Sequence, residues 1–514
     1  MYESRTKNSI RNAFAAAGTQ VSITVVEFIV RSVFIYTLGK TYLGLSGLFS
    51  DILTILSLAE LGFGVAITYA LYVPVAKDDK EKVTALINLF ARIYRIIGVF
   101  ISIAGLCLTP FLDFFISDMP DINILPVIYI LYLFNTSLSY FLVYKKNLLN
   151  AYQKANIVSL AQITAAMIKY SLQIITLFIF KNYILYLVIQ LVCTLLENII
   201  VSVYVDRHYK FLKDYKGAKV SKVQKKEIFK NVRAMFLSKI SSAVVTSTDN
   251  ILISKFVSTI TLGFYSNYTF FTNFIRGVMN KMFEAIYGSV GNLLAAETSE
   301  KAYLNFKRIW FINFYMISTF SIIFITVINP FITVWLGESY LLPWGLVFFI
   351  CFNMYMRYIR NTCLTFIDTY GLFTKFRLKC VAEALINLVT SILYLKAFDM
   401  GITGVLLGTF TSNILTNFWY EPYVLYKYQF KKPLRNYMIR FVYYLIAVSV
   451  TGGITVGLSH WLFVNVMNVG NIWNIVLRLL FCLFVIPILY KIIFGRTDEY
   501  KYIKKCLLKK ESKC

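Results

Sequence analysis

The chain has 514 residues, of which 58% are hydrophobic, 17% aromatic and only 15% charged, with a mean hydropathy of +0.65. A soluble chain would be about 45–50% apolar and about 25% charged, and the excess here comes in windows of about 20 residues rather than barrel strands of about 10, which excludes a soluble multidomain enzyme and disfavours a β-barrel. Lys and Arg outnumber Asp and Glu 52 to 26, a bias that in a soluble protein would suggest nucleic acid but in a membrane protein first asks which loops hold the positives.

The apolar windows predict an all-α integral membrane protein with fourteen spans, at 12–38, 42–72, 83–110, 123–144, 156–180, 183–205, 232–256, 260–294, 306–333, 341–362, 374–398, 401–426, 437–464 and 470–494. The first span carries Glu27 and Arg31 and is too long for a cleaved signal peptide. Gly and Pro inside spans, such as Pro110 and Pro330, are tolerated in membrane helices and can kink them. With the N-terminus inside, most Lys and Arg fall on cytoplasmic segments: ten lie in 207–233 and eight in the tail from Lys491. External segments carry only Lys40, Lys181, Lys255 and Lys396. Positive loops stay inside, so both termini are expected in the cytoplasm. External loops are short and leave no room for an extracytoplasmic catalytic domain.

A shift of 219 residues brings Asn12 onto Asn231 and Leu43–Gly44 onto Leu262–Gly263, and a shift of 220 brings Pro110–Phe111 onto Pro330–Phe331. Six spans per unit is an even number, so the repeat is parallel, about an axis along the membrane normal. The expected division is an N-lobe over 1–206, a basic cytoplasmic linker over 207–229, a C-lobe over 230–426, and two further spans with a basic tail over 427–514. The linker suits either the anionic inner leaflet or plain solvation.

A charge at membrane depth is costly unless it faces protein or water. In span 1, Gln20, Thr24, Glu27 and Arg31 share one helical face; in span 7, Lys239, Ser242, Thr246 and Asp249 do the same. Span 8 adds Asn273, Arg276, Asn280 and Glu284 on one face, with Lys281 beside it, and span 2 adds Asp51 and Glu60. A cavity between the two six-helix units would water all of these groups. Local alternatives stand beside it: Glu27 with Arg31, Lys281 with Glu284, and a Lys169–Glu197 bridge between spans 5 and 6. Arg92, Arg95, Arg357 and Arg360 suit snorkelling to headgroups or a cytoplasmic entrance. Arg31, Lys239, Arg276 and Lys281, with Asn273, are the candidate substrate-binding residues, and Arg276 is expected near the membrane midplane. Arginine forks match phosphate oxygens, so an anionic, phosphate-bearing substrate is favoured. Glu27, Asp51, Glu60 and Asp249 would hold the cations apart or take up a coupling cation or proton. Eight scattered cysteines and two histidines, His208 and His460, leave no plausible metal site or triad, so no cofactor and no catalytic role is expected.

The stretch Leu38–Gly39–Lys40–Thr41–Tyr42–Leu43–Gly44–Leu45–Ser46–Gly47–Leu48–Phe49, followed by Leu56–Ser57–Leu58–Ala59–Glu60–Leu61–Gly62, resembles the start of Wzx-type polysaccharide repeat-unit flippases of Gram-positive bacteria. These are members of the multidrug/oligosaccharidyl-lipid/polysaccharide (MOP) superfamily. Thr248–Asp249–Asn250–Ile251–Leu252–Ile253–Ser254 and Gly263–Phe264–Tyr265–Ser266–Asn267–Tyr268 resemble their helix 7–8 signature. The resemblance implies a MATE-like pair of six-helix bundles plus two C-terminal helices in the bacterial cytoplasmic membrane. It implies movement of an undecaprenyl-diphosphate-linked oligosaccharide from the inner to the outer leaflet for capsule or exopolysaccharide synthesis. Arg31, Lys239 and Arg276 would carry the cationic cavity, and Glu60 the acidic group on helix 2. Coupling to H+ or Na+ follows by analogy, with membrane lipids around the chain and glycosyltransferases and a polysaccharide polymerase as neighbours. The rivals are a multidrug/cation antiporter of the same superfamily and a membrane polysaccharide polymerase or ligase; the basic span residues argue against the first and the short external loops against the second. No Walker-type phosphate loop occurs, so energy would come from a gradient, the membrane potential or substrate supply.

Overall fold

The computed structural model describes residues 23–502 apart from 61–62, 64–69, 72–73, 76, 117–123, 153, 297–298, 371, 373–374, 376 and 467–470. Side chains at 230–244, 246 and 284–296, and at a few positions elsewhere, also lie outside the description. The described chain is helical, and the helices form two units, 22–263 and 264–514.

In the first unit, α1 (23–38) ends at Gly39, whose φ of +84° only glycine adopts easily. The chain re-enters a helix at once in α2 (Lys40–Leu56), which tightens into a 3₁₀ turn, Ser57–Glu60, so the predicted span 42–72 is not one uninterrupted α-helix. Helix α3 (Lys80–Leu108) starts where the Asp79 carboxylate accepts the Lys82 N–H at 3.0 Å, and gives way at Pro110 to a 3₁₀ segment, Thr109–Phe114. Then come α4 (Leu125–Ser139), the short α5 (Tyr144–Ala151), α6 (Ala155–Ile179) and α7 (Tyr183–His208). Helix α8 (Lys222–Phe256) is capped by the Ser221 hydroxyl, which accepts the Gln224 N–H at 3.2 Å. The unit closes with the first residues of α9 (Thr259–Ala296).

Close packing in this unit depends on missing side chains. A Cβ on Gly44 of α2 would overlap the Thr259 carbonyl oxygen, and one on Gly263 would fall 2.7 Å from the Lys40 carbonyl oxygen. Small residues at such spacing let helix backbones touch, which is the main attraction available between helices in lipid.

The second unit contains the rest of α9, the long α10 (Ser299–Leu336) with Pro330 inside it, α11 (Trp344–Ile359), α12 (Asn361–Thr369) and α13 (Arg377–Lys396). Next, α14 (Gly401–Ser412) and α15 (Phe418–Leu425) run on through two π-helical turns, Asn413–Asn417 and Tyr426–Phe430. A further pair, α16 (Arg435–His460) and α17 (Asn471–Phe494), follows. Both are fastened to α10 by rings: Trp310 stacks on Tyr437 and Phe314 on Tyr444, each with centroids 4.3 Å apart, and Phe314 meets Phe494 edge-on at 5.4 Å. Offset and edge-on pairs of this kind add about 0.5–1.5 kcal/mol each beyond area burial.

Eight helices among the described residues are long and apolar enough to cross a membrane: they include α3, α6, α7, α10, α13, α16 and α17, with a further segment spanning α4 and α5. Their outward residues are apolar too, for example Leu160, Ile168, Leu172 and Phe178 on α6, and Phe484, Ile488 and Ile492 on α17. In water such a surface would be an aggregation liability; in a bilayer it faces acyl chains. Among the described residues of α9, Ser266, Asn267, Asn273 and Arg276 break up the apolar run, so it falls short of this pattern.

Candidate functional site

Within unit 22–263 the predicted polar residues occupy separate settings. On α1, Glu27 accepts a 2.8 Å hydrogen bond from the Tyr170 hydroxyl of α6, and Arg31 lies within electrostatic reach of the Tyr186 hydroxyl of α7. The Lys169 ammonium sits 4.4 Å from the Tyr170 ring centroid and feels Glu27 first and Glu197 second. The direct partner of Glu197 is Lys146 of α5, at 2.6 Å, and beside it Lys145 binds Asp206 at 2.7 Å and the Ser202 hydroxyl at 2.7 Å. The Lys169–Glu197 bridge read from the sequence is therefore replaced by two bridges from α5: that short helix presents two adjacent lysines to the C-terminal half of α7, and both carboxylates are taken.

Asp51 of α2 accepts the Asn250 side-chain N–H of α8 at 2.6 Å and a bond from Ser247 one turn earlier. This tie joins α2 to α8, and Gly44, further back on α2, meets Thr259 at the start of α9. Asp249, the neighbour of Asn250, is buried at 8% exposure, in keeping with its different bearing on the helix. Glu60 lies at the end of the 3₁₀ turn, where the Tyr94 hydroxyl donates to it at 3.2 Å. It lines a cavity of about 250 Å³ with Thr54, Ser57, Tyr132, Asn135 and Gln190. Hydroxyls and amides surround one carboxylate there, a setting suited to a proton or a small hard cation. Of the lining residues only Glu60 was a predicted site residue; the tyrosine and amides are uncharged and sit among apolar neighbours, so nothing in the local pattern marks them.

Unit 264–514 holds the other half of the predicted set. Along α9, Asn273 and Asn280 are exposed and Arg276 and Lys281 half-buried, while Ile275, Met279 and Phe283 are buried on the other side. The helix therefore divides as its periodicity predicts. Arg276 has Tyr358 of α11 within electrostatic reach. The Lys239 side chain lies outside the described residues, as does that of Glu284.

The same unit contains a charge cluster that sequence reasoning missed. Glu421, wholly buried on α15, accepts from two nitrogens of Arg360, one at 3.0 Å, and from Lys379 at 2.8 Å. Lys379 also binds Glu383 at 2.8 Å, and Glu383 accepts from Asn417 at 2.6 Å. Two cations and two carboxylates cancel. Arg360 is thus not a snorkelling residue: a carboxylate 61 residues away holds it inside. Asn413 and Asn417 reach the cluster from a π-helical turn, a feature often found where a helix must redirect side chains. A second missed cation is Arg478 of α17, 5% exposed and bonded to Asn474 at 2.5 Å.

Solved structures share this architecture. A multidrug-resistance MATE family transporter of the MOP superfamily in an inward-facing conformation matches with a TM-score of 0.60 and 16% identity, over 78% of this chain and 95% of its own. A MOP superfamily transporter from Pyrococcus furiosus, described as having a binding pocket of reversed polarity that suggests a different function, matches with a TM-score of 0.60 and 17% identity, over 83% and 97%. The Vibrio cholerae MATE transporter VcmN matches with a TM-score of 0.55 and 16% identity, over 84% and 98%. At these identities the likeness shows the fold: an all-helical, multi-pass membrane protein built like the MOP transporters. Comparison with curated protein sequences finds no match. The family model for polysaccharide biosynthesis proteins matches residues 9–287, more than half of the 514-residue chain, and the chain belongs to that family.

Proposed function

We propose that the chain is a flippase that carries an undecaprenyl-diphosphate-linked oligosaccharide across the bacterial cytoplasmic membrane by alternating access. The observation that carries this reading is the accessible polar face of α9, with Arg276 between exposed Asn273 and Asn280. An arginine kept accessible within a span is expensive unless it serves a ligand or faces water, and its fork suits a diphosphate. Arg276 is 17 residues from Thr259, about 26 Å along the helix at 1.5 Å per residue. In the predicted orientation that is the inner half of a roughly 30 Å core, where a substrate arriving from the cytoplasm would meet it. Arg31, Lys239 and Lys281 would add positive charge. Glu60, in its hydroxyl-lined cavity, is the best-placed group for a coupling H+ or Na+, with Glu27, Asp51 and Asp249 held in protein-facing bonds or buried. Glycosyltransferases and a polymerase would supply and consume the lipid-linked sugar.

The test is Arg276→Ala in proteoliposomes loaded with the lipid-linked oligosaccharide. Flipping should fall at least tenfold with normal insertion; unchanged flipping overturns the role of Arg276. Multidrug export, the described activity of the inward-facing MATE relative, is the second reading. The rings of Tyr183 and Tyr186 against Phe34, with Tyr132 hydrogen-bonded to Tyr183, favour it, because aromatic walls suit drug cations. Drug resistance conferred by the expressed protein, without sugar flipping, would decide for it.

A further inference from the structure

A second cavity, of about 400 Å³, lies entirely within unit 264–514, where the first turns of α10 and α16 meet the end of α17 and the turn after it. All three ends are cytoplasmic in the predicted orientation. The polar lining is Lys307, Asn436, Arg440, Thr497 and Glu499. Arg440 donates to Glu499 at 2.6 Å, whereas Lys307 forms no ion pair among the described residues, its ammonium lying 5.4 Å from the Tyr303 ring centroid. Glu499 feels Lys307 as well as Arg440, and two cations around one carboxylate leave one net positive charge.

One side of the cavity is open to the bilayer. Ile439 and Tyr443 line it and are also exposed, at 58% and 41%. They begin an apolar stripe on α16 that continues through Val442, Ile446, Val450 and Ile454, all exposed. From Ile439 to Ile454 is 15 residues, about 22 Å, more than the roughly 15 Å depth of one leaflet's hydrocarbon. A cationic pocket at the cytoplasmic level thus runs directly into a lipid-facing track one acyl chain long.

We propose that this cavity is a binding site for the anionic phosphodiester headgroup of an inner-leaflet phospholipid. Lys307 is its charge partner, Asn436 and Thr497 supply hydrogen bonds, and an acyl chain lies on the α16 stripe. One phosphodiester carries the single negative charge that the lining lacks, and basic pockets between membrane helices on the cytoplasmic side suit such headgroups. A soluble phosphate would match the charge but not the opening between membrane-facing side chains. The site is separate from the transported substrate: none of its lining residues belongs to the polar faces of α1, α8 or α9.

The experiment uses the purified full-length protein with dioleoylphosphatidylglycerol, dioleoylphosphatidylcholine or inorganic phosphate, read by native mass spectrometry and thermal unfolding. The wild type should retain one more phosphatidylglycerol than Lys307→Gln and unfold at a higher temperature with that lipid only. Lys307→Arg should keep both effects. Asn436→Asp, at an exposed position that leaves packing intact, cancels the net charge and should weaken retention at least fivefold. The proposal fails if Lys307→Gln or Asn436→Asp holds phosphatidylglycerol as the wild type does. It also fails if phosphatidylcholine is retained equally, or if phosphate alone gives the stabilisation.

Discussion

Replacing Glu421 by Gln would change one buried charge and almost no volume. Glu421 has no solvent exposure and receives three charged donors, two from Arg360 and one from Lys379. The wild-type cluster of Arg360, Lys379, Glu383 and Glu421 is neutral; Glu421→Gln leaves it at +1, with Lys379 only 5% exposed at its side chain and Glu383 as the sole remaining carboxylate. The amide also turns a donor towards groups that are themselves donors. Removing one partner of a buried pair typically costs about 3–5 kcal/mol, because the other charge is left uncompensated, and shape is conserved here, so no cavity contribution is expected. Unfolding of the purified protein in mixed micelles, monitored by tryptophan fluorescence, gives the loss. Adding Lys379→Gln restores neutrality, so the double variant should recover at least about 1 kcal/mol over Glu421→Gln alone, within the usual range for residues in one network. A single-variant loss below about 0.5 kcal/mol, the range of a neutral surface change, or strict additivity of the pair, would refute the idea of one closed cluster.

Exchanging Lys146 and Glu197 should restore what either reversal alone removes. Lys146→Glu or Glu197→Lys sets like charges at 2.6 Å, and expression of folded protein should drop for each single variant and recover for the swap. Asp51→Leu deletes the acceptor of Asn250 and Ser247, and the cost of stranded donors is about 1–3 kcal/mol; Asp51→Asn, which keeps an acceptor, should lose less in the same unfolding assay. Acid should release the segment after α17. Burial raises the Glu499 carboxyl, but the hydrogen bond and charge of Arg440 outweigh it and hold it below the ordinary glutamate value. A lowered folded value means that the link contributes fully above pH of about 4.3 and is lost as pH falls through the folded value. Protection of the 495–502 amides, measured as exchange relative to an unstructured chain at the same pH, should therefore be lost in the wild type only once the pH falls below the ordinary glutamate value of about 4.3, and should already be low at pH 7 in Glu499→Gln.

The spans were legible because hydropathy over some twenty residues depends on composition alone, and α3, α7, α10 and α17 follow it directly. The polar face of α9 was legible for a similar reason: Asn273, Arg276 and Asn280 obey one helical period. Pairings were not legible. Glu27 meets Tyr170 across 143 residues and Arg360 meets Glu421 across 61, and no local pattern encodes such distances. Lys169 stood opposite Glu197 in a two-helix reading; the short α5, which presents Lys145 and Lys146, supplied the competing partner. Glu421 was hidden because its window is otherwise apolar, and Asn413 and Asn417 because a π-helical turn departs from the 3.6-residue period on which face assignments rest.

The glycine contact on α2 has a consequence of its own. Under the 219-residue shift Lys40 corresponds to Thr259 and Gly44 to Gly263, and in the fold Gly44 lies against Thr259 while Gly263 lies against Lys40. Each copy of the motif meets its own duplicate, with the two halves of the contact exchanged, which is the pattern of an isologous dimer interface written into one polypeptide. Both glycines then report on a single crossing. Once Gly44→Ala has pushed the backbones apart, Gly263→Ala finds the space already open, and the two losses sum to less than their separate values.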